Sequence, residues 1–286
     1  MNAFNLLISK QSEWAKNKNL QLVGSLGPRG RKVYTRSIEE NLFQPLNKQT
    51  KENLEHGDGN ELAGSEAQPA KIQAVHSSSA LGINLFDYWR GSADLSIITT
   101  ACRLSRANRK LCGEMLFEQK FPIDDRFRYP PNIDVVIIPK TGRYRVYAIE
   151  CKFAEPYSSH KHDGLDGKYL KNDDIWQSLT STKCLAQAIS PDDSRFRYLH
   201  AAQLIKHILG LNREFGHSRY RLLYLWYDVI GEASHKHRQE IKQFSDIVGS
   251  DGVAFREVTY QDAISRLAKH REDHSEYISY ITERYL

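Results

Sequence analysis

The chain has 286 residues, 26% of them charged and 40% hydrophobic, with a formal net charge of +5. That composition excludes a disordered tail, a collagen-like repeat or a small disulfide scaffold, and it is long enough for one large domain or two small ones. The mild basic excess suits a polyanionic partner without requiring one, and no apolar run reaches membrane-spanning length. The N-terminus lacks a signal-peptide layout, and Cys102, Cys112, Cys151 and Cys184 form no CxxC pair, so reduced thiols and a cytoplasmic location are expected.

In chain order, Phe4, Leu6, Leu7, Ile8 and Trp14 predict an opening helix. The rest of the first 75 residues reads as irregular, which divides the chain into an N-terminal extension, 1–75, and a main domain, 76–286. Within the extension Arg29, Arg31, Lys32 and Arg36 cluster around Tyr34. A solvated basic loop is the default for such a cluster, and phosphate contact is the alternative. Gly57-Asp58-Gly59-Asn60 predicts a loop.

At Ser77 the character changes. HSSSALGINLFDYW offers serine caps followed by Leu81, Leu85 and Trp89 at helical spacing, predicting about three turns that end near Gly91. Leu95, Ile98 and Cys102 predict a second helix, with Arg103, Arg106, Arg109 and Lys110 near its C-terminal end. Met115 to Ile123 reads as a strand with Glu118 in its middle. By alternation Leu116, Glu118 and Lys120 share one face and Phe117, Gln119 and Phe121 the other. Glu118 is either an exposed strand carboxylate or a third acidic group at a site on the next strand.

Ile133 to Ile138 and Arg145 to Phe153 predict two apolar strands joined by a turn at Lys140, Thr141 and Gly142. Charges inside such strands need a reason, and three are present: Asp134, Glu150 and Lys152. Glu150 and Lys152 point the same way with Val146 and Ala148, while Tyr147, Ile149, Cys151 and Phe153 point the other way. Across a hairpin Asp134 can face Glu150. Two desolvated carboxylates repel, and a divalent cation relieves them. A metal-bound water beside a lysine suits phosphodiester hydrolysis. A buried ion pair holding the hairpin is the plainer alternative at this point.

Residues 154–175 read as a loop, with His160 and His162 on its surface. Asp173 or Asp174 is expected to cap a helix through Ile175, Trp176 and Leu179. Leu204, Ile205, Ile208 and Leu211 mark another helix, and Tyr220 to Ile230 a strand. A helix around Ile241 and Phe244, a strand at Val253 to Thr259 and a final helix from Ala263 follow. His235 and His237 are expected to be solvated. Strands separated by helices favour an α/β fold with a mixed sheet covered on both faces and the acidic strands at its centre.

This order, with Asp134 on one strand and Glu150-Cys151-Lys152 on the next, resembles the core of the PD-(D/E)xK nuclease superfamily. The segments NLFQPL, GDGNEL, HSSSALGINLFDYW, FEQKFP, IDVVI and AIECKFAEPY are similar to those of bacterial restriction-endonuclease-like proteins. The resemblance implies a restriction-endonuclease-like core that cleaves DNA with Mg²⁺, for which Mn²⁺ can substitute. It implies Asp134 and Glu150 as metal ligands with the Cys151 backbone carbonyl, and Lys152 acting on the attacking water and the phosphate. Many members carry a helix glutamate near the site. Here Asn84 is the nearest polar residue on the corresponding helix, and Glu118 is the other candidate for that role. DNA is the implied partner, and a homodimer is compatible with the pattern. A silent nucleic-acid-binding module on the same fold and an RNA-directed nuclease are the alternatives.

Overall fold

The computed structural model describes residues 2–25, 30–57, 59–65, 67–106, 110–159 and 161–286. Arg29, Asp58, Arg109 and His160, named above, lie outside the described residues. The helices are α1 (Ala3–Asn17), α2 (Lys48–His56), α3 (Ser78–Phe86), α4 (Ser96–Ala101), α5 (Gly167–Leu170), α6 (Thr180–Ala188), α7 (Ala201–Phe215), α8 (Glu232–Ser250), α9 (Tyr260–Leu267) and α10 (Ser275–Tyr285). The strands are β1 (Gly113–Lys120), β2 (Asn132–Pro139), β3 (Val146–Lys152), β4 (Tyr220–Trp226) and β5 (Phe255–Thr259).

The five strands form one sheet in sequence order. β1, β2 and β3 pair antiparallel, whereas β4 runs parallel to β3 and β5 parallel to β4. The fold is therefore α/β with a mixed sheet, and β3 lies at its centre. Apolar side chains cover both faces, as the near-continuous apolar strands require. Tyr147, Ile149 and Cys151 face a layer built from α3, α4, α9 and α10. Val146 and Ala148 face a second layer built from α6, α7 and α8. Glu150 and Lys152 follow the parity of this second group, as alternation predicts.

Alternation fails at one place. Ile133 and Val135 are two residues apart, yet they join opposite layers. On β1, Phe117 joins the α3 layer while Phe121 packs with the other. The cause is Glu118, whose φ of 52° is a left-handed conformation that side-chain-bearing residues seldom adopt. The register skips the pair Glu118–Asp134, between Phe117–Val135 and Gln119–Ile133. The expected common face for Phe117 and Phe121 is therefore corrected: the strands turn over at the two acidic residues.

Other boundaries shift for local reasons. Ser178 has a φ of 63°, which splits the expected helix after Asp173 into a 3-10 turn at Asp173–Trp176 and α6. β4 ends at Trp226, before Asp228, which bonds Ser234 and Arg238 instead of continuing the ladder. The last helical stretch divides into α9 and α10.

Residues before 76 pack against the C-terminal helix. Arg284 of α10 is buried, and its guanidinium donates to Gln11 Oε1 at 3.1 Å and to the Asn41 carbonyl at 2.8 Å. It also lies 4.0 Å from the Trp14 ring. Among the described residues no carboxylate pairs with this cation, so hydrogen bonds and aromatic faces carry its charge.

Candidate active site

Pairing between β2 and β3 runs from Ile137–Tyr147 to Val135–Ile149 and stops. Asp134 and Glu150 occupy the next position on each strand. The Cys151 N–H, left without a carbonyl on β2, donates to Asp134 Oδ2 at 2.7 Å. The aspartate thus replaces a ladder bond and is anchored by the strand it faces. Glu118 sits across from Asp134 on β1 and accepts a hydrogen bond from Asn132 Nδ2. The three expected acidic residues therefore gather at one end of the sheet.

Glu150 is fully buried. One oxygen lies 2.7 Å from Lys152 Nζ and the other 2.9 Å from His207 Nε2. Burial raises its carboxyl pKa, but Lys152 and His207 outweigh burial and bring it down to about 2. Asp134 is half-buried and stands the other way. Burial pushes its carboxyl well up, the charges of Glu150 and Glu118 push further, and Lys152 and the Cys151 N–H only partly oppose them. Burial works against the Lys152 charge, yet Glu150, Asp134 and Glu155 together hold its ammonium above the usual range.

His207 was not foreseen. It lies on α7 and is itself buried. It follows Leu204 by three residues and precedes Leu211 by four, so it sits inside the apolar stripe of that helix. An imidazole in that stripe, on a helix after the Glu150 strand, is the signal that could have found it.

The Cys151 thiol points into the α3 layer. Gly82 comes close there: a Cβ on it would lie 3.4 Å from the sulfur. Burial raises the thiol pKa well above the ordinary value. Asn84 faces away from the carboxylates. It accepts from the Phe43 N–H at 2.7 Å and donates to the Asn41 carbonyl at 3.0 Å and to Tyr285 Oη at 2.9 Å. Asn84 is thereby corrected as a site residue, since both its N–H donors and its oxygen are turned toward Asn41, Phe43 and Tyr285.

The first turn of α3 stands over the acidic group. Ser77 caps it, accepting from the Ala80 N–H at 3.1 Å. Ser78 and Ser79 line a void of about 10 Å³ with Glu118, Asp134 and Cys151. The same serines line an open cleft of about 560 Å³ with Tyr34, Glu61, His76 and Glu155. Glu61, also not foreseen, is half-buried in this cleft. Burial raises its pKa, a bond with Ser79 and the Lys71 charge lower it, and Glu155 raises it. It belongs to the GDGNEL segment.

Two histidine expectations change. His237 is buried rather than solvated: its Nε2 lies 3.0 Å from Tyr224 Oη, on the strand beside Glu150. His162 stacks on His200 with ring centroids 4.6 Å apart, instead of standing free on a loop. Among the described residues no group of three or more His, Cys, Asp or Glu side chains is gathered closely enough to hold a metal. The two-carboxylate arrangement is of the sparser kind that Mg²⁺ accepts, with waters and phosphate completing its shell. Asp134, with its charge opposed by two neighbours, is the group a divalent cation would relieve most, and its oxygens are hard donors of the type Mg²⁺ selects.

A mixed sheet with antiparallel β1 to β3, a parallel continuation, and an acidic pair with a lysine at the β2–β3 fork defines a restriction-endonuclease-like protein. The chain belongs to the family described as Restriction Endonuclease associating with ARP, which matches residues 7–286. No curated protein and no solved structure matches it.

Proposed function

We propose that the protein is a metal-dependent endonuclease that hydrolyses DNA phosphodiester bonds. One observation carries the reading: Asp134, Glu150 and Lys152 take the positions at which the β2–β3 ladder opens. Asp134 and Glu150, with the Cys151 carbonyl, would hold Mg²⁺, or Mn²⁺ in its place. When bound, such an ion polarises the phosphate and lowers the pKa of its water.

The chain's own residues do the rest. The Cys151 N–H fixes Asp134. His207 fixes one Glu150 oxygen from α7 while Lys152 holds the other. Lys152, whose side chain is 16% exposed, is the cation able to reach a scissile phosphate and stabilise the charge that develops on it. Glu118 adds negative charge on the far side of Asp134. DNA as substrate follows from the restriction-endonuclease description of the family, and the association with ARP in the same description is carried to this chain as part of the proposal.

A second reading is a module that binds nucleic acid without cutting it. It draws support from the engagement of both Glu150 oxygens by Lys152 and His207 of the chain itself. Supercoiled plasmid incubated with the protein in Mg²⁺, and again in EDTA, separates the two. Nicked or linear product in Mg²⁺ alone is expected. Retarded but uncut plasmid in both buffers would replace the first reading by the second.

A further inference from the structure

The connection from β1 to β2 leaves the sheet beside the acidic group: Glu118 lies two residues before Lys120, where β1 ends, and Asp134 two residues after Asn132, where β2 begins. Its base is fixed. The Phe121 N–H donates to the Pro131 carbonyl at 3.2 Å and closes the neck. The neck rests on α7, the helix that carries His207. Gly210 makes that approach possible, because a Cβ there would fall 2.4 Å from the Phe121 carbonyl oxygen. Ile123 is buried, and the Phe127 ring packs 4.6 Å from Tyr169.

Both acidic residues of the loop are answered within the protein. Asp125 pairs with Arg213 of α7 at 2.7 Å, and Asp124 with Arg126 at 2.7 Å. What remains at the tip is Arg128 and Tyr129, followed by two prolines that restrict the backbone. Tyr129 is 66% exposed. The Arg128 guanidinium stands 5.2 Å from its ring centroid, and among the described residues it pairs with no carboxylate. Single exposed aromatics are ordinary. This one stands out because its base is rigid, its neighbour is an unneutralised arginine, and it sits at the catalytic end of the sheet.

We propose that the Arg128–Tyr129 tip grips the nucleic acid being cut, with Tyr129 stacked on one base and Arg128 set against one phosphate. The assignment rests on the DNA-cleaving reading above and names the element that holds the strand. Aromatic–base stacking tolerates any sequence because every base has a π-face, and arginine adds both charge and a cation–π contact. A loop closed at its neck and seated by Ile123 and Phe127 loses little freedom when it engages a ligand.

The test is fluorescence anisotropy with a fluorescein-labelled DNA of mixed sequence, single-stranded and duplex, in EDTA so that nothing is cut. Tyr129→Ala should weaken binding by roughly five- to 150-fold, the range for one stacked base, with the salt dependence unchanged. Tyr129→Phe should bind as the native protein does. Arg128→Gln should lower the slope of log K on log salt by about one. Melting temperatures should stay at the native value, since the tip is exposed. If the native protein binds and cleaves DNA while Tyr129→Ala and Arg128→Gln bind equally well, the tip is not a contact and the nuclease reading stands. If the native protein neither binds nor cuts DNA, that reading falls and the tip assignment with it.

Discussion

Asp134→Asn separates a metal site from a structural ion pair. The substitution keeps the shape and an acceptor oxygen for the Cys151 N–H while removing one charge from a group of three carboxylates. Because burial and the neighbouring carboxylates raise the Asp134 pKa on folding, the charged form costs stability, and the cost grows as pH rises above the ordinary aspartate range. Metal-free Asp134→Asn should thus be no less stable than the native protein, and its relative stability should improve from about pH 4 upward. If Asp134 were instead one half of a buried ion pair, its removal would cost about 3–5 kcal/mol. At about 2.1 cal/mol/K per residue, the 286-residue chain has an unfolding entropy near 600 cal/mol/K, so that loss would lower the melting temperature by about 5–8 °C. Mg²⁺ at ~100 times its dissociation constant should add about 2.7 kcal/mol, a rise of about 4–5 °C, in the native protein and much less in Asp134→Asn. The assay is thermal melting of both proteins in EDTA and in millimolar Mg²⁺ at several pH values. A drop of several degrees in metal-free Asp134→Asn, with no response to metal in either protein, would make Asp134 a structural ion-pair member and not a metal ligand.

Lys152→Ala should abolish plasmid cleavage while metal-induced melting shifts and DNA binding persist, because an ammonium offers no lone pair to a metal; near-native cleavage at neutral pH would remove Lys152 from the chemistry. His207→Leu strips one buried Glu150 oxygen of its partner and should cost about 1–3 kcal/mol in stability, with kcat falling more than KM rises. In the same cleavage and melting assays His207→Gln, which keeps a donor, should recover part of both. Neutralising Arg31, Lys32 and Arg36 should flatten the salt dependence of DNA binding by about 0.9 for each phosphate they had neutralised. An unchanged slope would leave them a solvated cluster, with Arg31 bonded to Asn5 and Arg36 to Gln21 as they now are.

The acidic pair and the lysine were legible because charge is conspicuous in apolar strands of period two, and that period put Glu150 and Lys152 on the face they occupy. The same rule misplaced Phe121, since nothing local announces a left-handed residue at Glu118. His207 was hidden among Leu204, Ile208 and Leu211, where an imidazole reads as core. Glu61 reaches Ser79 only because the N-terminal segment folds back over α3, a contact with no trace in sequence spacing. His237 looked solvated in a charged run, yet helical periodicity sets it four residues before Ile241, on the buried stripe of α8.

The buried Arg284 bears on how the protein comes into being on the ribosome. Gln11 and Arg284 are 273 positions apart, so α1 emerges long before the cation that will seat it. At about 5–20 residues per second, the 273 positions between them take roughly a quarter of a minute to a minute to synthesise, and for that time the first helix waits. α10 also bonds Asn84 of α3 through Tyr285, so the helix above the carboxylates is secured by the same late arrival. An unfinished chain lacks that clasp. The fold thereby defers completion of the candidate site until α10 has been made.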